Sequence, residues 1–353
     1  MRRPIAAVAL TVVTAITVAV ALEPAPAAGA NPLSDYCEPS ATVFDPADVP
    51  PEGSGPVDVD GVRESSIKVD GVETRLLESG RRGADTAVVF VHGSPGSGAD
   101  FADLLPLVSG QHNRALVLDG PGFGLAEDTW GRPRTVGPAI DFMSKALRKL
   151  GVEDVHLVGH DVGSAAGLAW AAEHPKRLRS ATLIDGGMLF DYRHHNLAQI
   201  SRSEPGGEAF WLQINRASFN AGIQDGQSPT RPLPPEFTNR LYDDLDRETR
   251  CAIIDLYRMT DEPEIDQLAR EWAKVFRKRE HRPALVIWGK SDPYLPVKHA
   301  EEQKRGFPSA KIKIFDDSGH FPFADNPERT RRLLVPFLRE AIADDRGHRL
   351  IGR

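Results

Sequence analysis

Asp161 lies in a segment whose residue types suit a nucleophile-bearing turn. Residues 159–163 read Gly-His-Asp-Val-Gly and follow a mainly apolar run, Val155 to Val158. Glycines at the two outer positions permit a strained turn and close packing between a strand and a helix. A carboxylate is a weaker nucleophile than Ser or Cys and suits the displacement of a leaving group from saturated carbon. The sequence therefore predicts that Asp161 forms an ester with its substrate.

Three further segments carry polar residues directly after apolar runs. The segment His-Gly-Ser-Pro-Gly-Ser follows the first buried run, and its backbone at Ser94 is suited to direct an N–H at a developing oxyanion. Asp292 follows the penultimate run in Trp-Gly-Lys-Ser-Asp-Pro, and His320 follows the last run in Asp-Ser-Gly-His-Phe-Pro. The chain order is thus nucleophile Asp161, acid Asp292 and base His320.

Together these segments resemble the α/β-hydrolase fold family, and specifically its branch with an Asp nucleophile, over about residues 63–343. The resemblance implies a second step in which His320, oriented by Asp292, deprotonates a water that attacks the Asp161 ester. The resulting oxyanion would sit between the backbone N–H groups of Ser94 and Val162. Asp185, which follows another predicted strand, is the alternative acid, as in some dehalogenase relatives.

The residue after the nucleophile bears on the leaving group. Haloalkane dehalogenases that resemble this chain have Trp at this position, and haloacetate dehalogenases typically have Arg, whereas this chain has Val162. One group of haloalkane dehalogenases also has Asn where this chain has Ser94. The resemblance therefore favours an epoxide over a halide.

Opening an epoxide produces an alkoxide, and epoxide hydrolases supply the required acidic O–H from one or two tyrosines of the cap. Tyr257, in Leu-Tyr-Arg, is similar to the second of these tyrosines. The position expected for the first holds Ser201 or Ile200, so Tyr192 is the substitute candidate. We expect a cofactor-free and metal-free epoxide hydrolase for a small hydrophobic substrate.

Two alternatives stay open. One is a dehalogenase with an unusual halide site, using Trp211 of the cap. The other is a ligand-binding protein that keeps the hydrolase pocket. The adjacent pair His194 and His195 lacks a carboxylate or Cys at ligand spacing and is interpreted as a pair of surface residues rather than a metal site.

The elements that position these residues are visible as short apolar runs separated by helical patterns. They predict a doubly wound, mostly parallel α/β sheet formed by residues 62–186 and 283–353, with a helical cap inserted at 187–282. An initial hairpin is predicted around Asp70-Gly71, and an amphipathic helix at about 328–343 ends the fold. The expected strands are Ala87–Val91, Ala115–Leu118, Val155–Val158, Ala181–Ile184, Ala284–Trp288 and Lys311–Phe315.

Composition and charge limit the remaining classes of function. The 353 residues are 41% hydrophobic and 26% charged, with a formal charge of −7. This charge argues against a nucleic-acid surface, which needs concentrated positive charge. Residues 1–30 are typical of a secretory signal peptide, and the alternative is a retained membrane anchor. Residues 31–61 are typical of an extended arm. Cys37 and Cys251 form either one disulfide in an oxidising compartment or two unpaired thiols.

Overall fold

The computed structural model describes residue 37 and residues 55–127, 136–225, 227–228, 230–278 and 282–351. The predicted signal peptide and most of the predicted arm lie outside the described residues. Among the residues that are described, no helix combines the length and apolar character that crossing a bilayer requires.

One eight-stranded sheet forms the centre of the described chain, in the order β1-β2-β4-β3-β5-β6-β7-β8. Strands β1, β2 and β4 pair antiparallel in succession, and β3 to β8 run parallel to one another. The predicted mostly parallel α/β sheet is confirmed. The strands are β1 (Arg63–Val69), β2 (Val72–Gly80), β3 (Thr86–Val91), β4 (Arg114–Leu118), β5 (Asp154–His160), β6 (Leu178–Ile184), β7 (Ala284–Gly289) and β8 (Lys311–Phe315).

The central strands carry mainly apolar runs because the sheet is covered on both faces. Successive residues of one strand pack into different hydrophobic clusters, as Val89 and Phe90 of β3 do. Leu157 and Val158 of β5 divide in the same way. This alternation puts one set of side chains on each face of the sheet, so a continuous apolar run is required rather than an alternating one.

Helices cover both faces, and a group of them is inserted between β6 and β7. The inserted helices α4 to α9 fall within residues 187–282, the range expected of the cap. The α-helices of the described chain are α1 (Leu105–Val108), α2 (Val136–Lys149), α3 (Asp161–Glu173), α4 (Asn196–Arg202), α5 (Gly206–Gln213), α6 (Arg216–Gln224), α7 (Pro235–Asp243), α8 (Arg247–Arg258), α9 (Glu262–Arg277), α10 (Lys298–Glu302), α11 (Pro322–Asp325) and α12 (Pro327–Ile351).

A disulfide and a buried ion pair are among the links between the inserted helices and the rest of the described chain. Cys37 and Cys251 form a disulfide with a Cα–Cα distance of 5.5 Å, which answers the question that the sequence left open. Asp100, in a short 3₁₀ helix after β3, accepts a hydrogen bond of 2.7 Å from Arg240 of α7. The Asp100 side chain is fully buried, so this ion pair is shielded from water.

Candidate active site

The turn that presents Asp161 connects β5 directly to α3. Asp161 has φ of +50°, a left-handed conformation that is strained for a non-glycine residue. The adjacent glycines have a different function, which is close packing. A Cβ on Gly163 would lie 2.2 Å from the carbonyl oxygen of His92, and one on Gly159 would lie 2.5 Å from Cα of Ser164. The strain is therefore at the nucleophile, and the glycines allow the neighbouring backbone to approach it.

Backbone N–H groups contact the Asp161 carboxylate. The N–H of Ser94 donates to Oδ2 at 3.1 Å, and the N–H of Val162 also bonds to this carboxylate. Burial raises the pKa of Asp161 above its usual value, although His320 and the two N–H groups oppose the shift. The start of α3 adds the positive end of a helix dipole. The structure thus brings together Asp161, Ser94 and Val162, as the sequence predicts.

His320 and Asp292 meet behind the nucleophile. Nδ1 of His320 lies 2.8 Å from Oδ2 of Asp292, and its Nε2 lies 4.0 Å from Oδ1 of Asp161. The other oxygen of Asp292 accepts the backbone N–H groups of Tyr294 and Leu295 at 2.8 and 2.9 Å. Burial lowers the pKa of His320, but the carboxylates of Asp292, Asp161 and Asp325 together outweigh it and the net shift is upward. This arrangement orients the imidazole with Nε2 toward Asp161.

The loop that carries His320 is fixed by two residues that sequence reasoning missed. Gln227, between α6 and α7, accepts the backbone N–H of His320 at 2.8 Å through its Oε1. Asp325 accepts the N–H of Gly319 at 2.7 Å and lies within α11. The sequence carries no motif for either residue, because each contact joins segments that come together only in the folded chain.

Asp185, the alternative acid, lies beside Asp292 and not against the imidazole nitrogen. Its Oδ1 accepts the N–H of Gly289 at 2.8 Å, and its side chain hydrogen-bonds to Asp292. Burial, reinforced by the charge of Asp292, raises the pKa of Asp185 well above its usual value. The raised pKa favours the protonated form of Asp185, which is the form that can donate to Asp292. The carboxylate that contacts His320 is Asp292.

A largely apolar pocket above Asp161 contains both candidate tyrosines, Tyr192 and Tyr257. Burial raises the pKa of each phenol, and the charge of Asp161 raises it further. Both hydroxyls are therefore protonated and act as O–H groups. The apolar lining includes Leu189, Leu256, Ile265, Leu268, Trp272 and Leu295.

The interpretation of His194 and His195 as surface residues is wrong. His194 is 7% exposed, and its ring and backbone N–H both contact Glu262 of α9. His195 lines the pocket beside the tyrosines. Its Nδ1 accepts the N–H of Ala198 at the start of α4, and its Nε2 lies 3.3 Å from Oη of Tyr257. Adjacent histidines carry no periodic signal, so the sequence does not reveal that both turn inward.

Trp211, the alternative halide donor, lines a different cavity from the one that contains Asp161. Its indole N–H donates to Oγ of Ser201 at 3.0 Å. Ser201 occupies one of the positions where the resemblance leads one to expect the first tyrosine. The donor of Trp211 is thus already engaged within the inserted helices.

Comparisons with known proteins agree with this geometry at the level of the fold. Residues 86–327 match the family model described as alpha/beta hydrolase fold. A 2-hydroxy-6-oxononadienedioate/2-hydroxy-6-oxononatrienedioate hydrolase of Burkholderia vietnamiensis is 25% identical over 290 residues, or 78% of this chain and 94% of the relative.

Solved structures show the same likeness. The haloalkane dehalogenase DatA of Agrobacterium tumefaciens has a TM-score of 0.68 and 21% identity, over 80% of this chain and 98% of that one. A variant of aCif has a TM-score of 0.67 and 17% identity, over 80% and 90% of the two chains. These identities are low, so the likenesses show a shared fold. With the family model covering most of its length, the chain belongs to the α/β-hydrolase fold family.

Proposed function

We propose that this protein hydrolyses a small hydrophobic epoxide to a vicinal diol through an ester on Asp161. The observation that carries the proposal is the content of one pocket. There Asp161 lines the same largely apolar space as Tyr192 and Tyr257. Epoxide opening needs a nucleophile and a proton donor together at one site, and this pocket supplies both.

In the first step, Oδ1 of Asp161 attacks a ring carbon while Oδ2 stays bound to the N–H of Ser94. A C–O bond of the ring breaks, and its electron pair goes to the departing oxygen. That oxygen takes a proton from Tyr257, with Tyr192 as the second donor. The products of this step are a hydroxyalkyl ester of Asp161 and a tyrosinate.

In the second step, His320 removes a proton from a water molecule, and the hydroxide adds to the ester carbonyl carbon. The negative charge that forms on Oδ2 is stabilised by the N–H groups of Ser94 and Val162. The intermediate collapses, the departing alkoxide takes the proton from His320, and the diol leaves. The new carboxylic acid of Asp161 returns its proton to the tyrosinate, so the cycle closes without a cofactor.

A halide would leave without taking a proton and would instead need N–H donors. Val162 and Ser94 offer only backbone N–H groups, and these already bind the Asp161 carboxylate. The indole N–H of Trp211 is bonded to Ser201. The groups that line this pocket therefore suit epoxide opening better than dehalogenation.

We also propose that the protein is secreted. Residues 1–30 have the composition of a signal peptide. The Cys37–Cys251 disulfide supports an oxidising compartment, because such bonds persist mainly outside the cytosol.

The test supplies the protein with an epoxide panel and an alkyl-halide panel while diol and halide are measured. In the His320→Gln variant, we expect an epoxide adduct on the Asp161 peptide by mass spectrometry. A single turnover of the unsubstituted enzyme in ¹⁸O-labelled water should give unlabelled diol, because the transferred oxygen comes from Asp161. Halide release without diol would contradict the proposal. An absence of any adduct with both panels would also contradict it and would favour a ligand-binding protein.

A further inference from the structure

We propose that His195 is a positioning residue that directs the hydroxyl hydrogen of Tyr257 toward the substrate and stabilises the tyrosinate that forms. This inference rests on the proposed function, since it concerns the proton donor for ring opening. The hydrogen bonds of the His195 side chain go to Ala198 and Tyr257 rather than to Asp161 or His320. The argument depends on which nitrogen of the His195 ring carries the proton.

The start of α4 determines that tautomer. His195 is the N-cap residue of α4, and its Nδ1 accepts the backbone N–H of Ala198 at 3.2 Å. A ring nitrogen that accepts a hydrogen bond carries no hydrogen, so the neutral ring is protonated at Nε2. Burial, together with the charge of His320, lowers the pKa of His195 to about 4, which keeps the ring neutral at physiological pH.

The protonated Nε2 lies 3.3 Å from Oη of Tyr257. Because Nε2 is the donor of this pair, the Tyr257 oxygen accepts, and its own hydrogen is left for another partner. Tyr257 lines the pocket that holds Asp161. The His195 ring is held at 86° to the Tyr257 ring and packs against Tyr294 on another side, with ring centroids 5.5 and 5.1 Å apart.

The same residue also contacts the second tyrosine. The backbone N–H of His195 hydrogen-bonds to the hydroxyl of Tyr192. His195 thus donates to both tyrosines, with its side chain to Tyr257 and its main chain to Tyr192. A side-chain substitution at His195 removes the bond to Tyr257 but retains the backbone N–H that bonds to Tyr192.

The bond to Tyr257 strengthens as the reaction proceeds. A hydrogen bond to an anionic oxygen is roughly twice as strong as one to a neutral oxygen. The contact between His195 and Tyr257 therefore stabilises the tyrosinate more than the phenol. An interaction that is stronger in the transition state than in the ground state accelerates the step.

A double-mutant cycle with His195→Asn and Tyr257→Phe tests this role. Asn is a favoured N-cap residue, so His195→Asn retains an acceptor for the start of α4 but is too short to reach Tyr257. We expect His195→Asn to slow ester formation by roughly tenfold to a hundredfold in rapid-quench experiments, part of what a general acid contributes. Ester hydrolysis should keep its rate, and so should ester formation when His195→Asn is added to Tyr257→Phe.

The outcomes separate the inference from the proposed function. If the unsubstituted enzyme makes no diol, the proposed function fails and the inference fails with it. If Tyr257→Phe slows ring opening but His195→Asn does not, only the role of His195 is overturned. Equal slowing by His195→Asn in both backgrounds would mean that His195 acts through α4 rather than through Tyr257, and would also overturn it. Circular dichroism and thermal unfolding of each variant identify any loss of structure.

Discussion

Nε2 of His320 lies 4.0 Å from Oδ1 of Asp161, a separation too long for a direct hydrogen bond. A water molecule can bond to both atoms across such a gap, at about 2.8 Å from each. The other oxygen of Asp161, Oδ2, is held by the N–H of Ser94. The two carboxylate oxygens therefore have different environments, one facing the base and the other facing the oxyanion donors.

The pH dependence of the two steps should differ because they need different charge states. The base must be neutral to activate water, and the pKa of His320 lies above its ordinary value. Its neutral fraction is therefore lost as the pH falls through that raised pKa, and ester hydrolysis needs this neutral form. We expect ester hydrolysis to slow first on acidification and the ester to accumulate. Mass spectrometry of acid-quenched enzyme measures this, and an acid limb below the ordinary histidine range would contradict it.

Substitution of the two neighbouring acids should have unequal effects. Asp292→Asn removes the charge that orients His320, and we expect a loss of about 10⁴-fold in ester hydrolysis. Asp185→Asn keeps a donor for Asp292, since an amide replaces the protonated carboxyl, and should retain the rate within about threefold. Stopped-flow measurement of both variants distinguishes the acids, and the reverse pattern would identify Asp185 as the acid.

Removal of a tyrosine hydroxyl should affect only ring opening. We expect Tyr257→Phe to slow ester formation by about 10²-fold, because general acid assistance is lost. Tyr192→Phe should have a smaller effect, and the double variant a larger one than either. Thermal unfolding serves as the control, since a buried aromatic ring is retained in each variant. Unchanged turnover in Tyr257→Phe would remove this residue from the mechanism.

The buried ion pair between Asp100 and Arg240 should contribute strongly to stability. Arg240→Met leaves the Asp100 carboxylate buried without its cation, and we expect the free energy of unfolding to fall by about 3–5 kcal/mol. Lys290→Met is the matched control, because its ion pair with Asp316 is exposed and should be worth less than about 1 kcal/mol. Denaturant unfolding compares the two, and equal losses would contradict the prediction.

The disulfide should stabilise the fold through its long sequence separation of 214 residues. We expect Cys37→Ser to lower the free energy of unfolding by about 2–5 kcal/mol. Adding a reducing agent should destabilise the parent protein by a similar amount and leave the variant unchanged. If reductant has no effect on the parent, the bond does not contribute in solution.

The predicted site residues that lie together in the structure share one property, which is that each lies at the end of a strand or in the loop that follows it. Asp161, Asp292 and His320 follow β5, β7 and β8, and the carboxyl ends of parallel strands meet at one edge of a sheet. Chain order and strand prediction are then sufficient to bring these residues together. Ser94, after β3, benefits from the same rule.

No comparable rule brings residues of the inserted helices together, so the sequence predicts few of their contacts. Tyr192 and His195 lie in irregular chain between β6 and α4, where no period relates one side chain to the next. The contact of His195 with Tyr257 spans 62 residues and depends on how α4 packs beside α8. The one local signal was the spacing of His195 before Ala198, and histidine is not a preferred N-cap residue.

The bond between Cys37 and Cys251 closes a covalent ring that contains Asp161 and Tyr192 and leaves Tyr257, Asp292 and His320 outside it. A protease that cuts once anywhere between the two cysteines therefore yields two pieces that remain chemically joined. Such a nicked molecule would keep every member of its active site on one covalent assembly, and it would migrate as two fragments only after reduction.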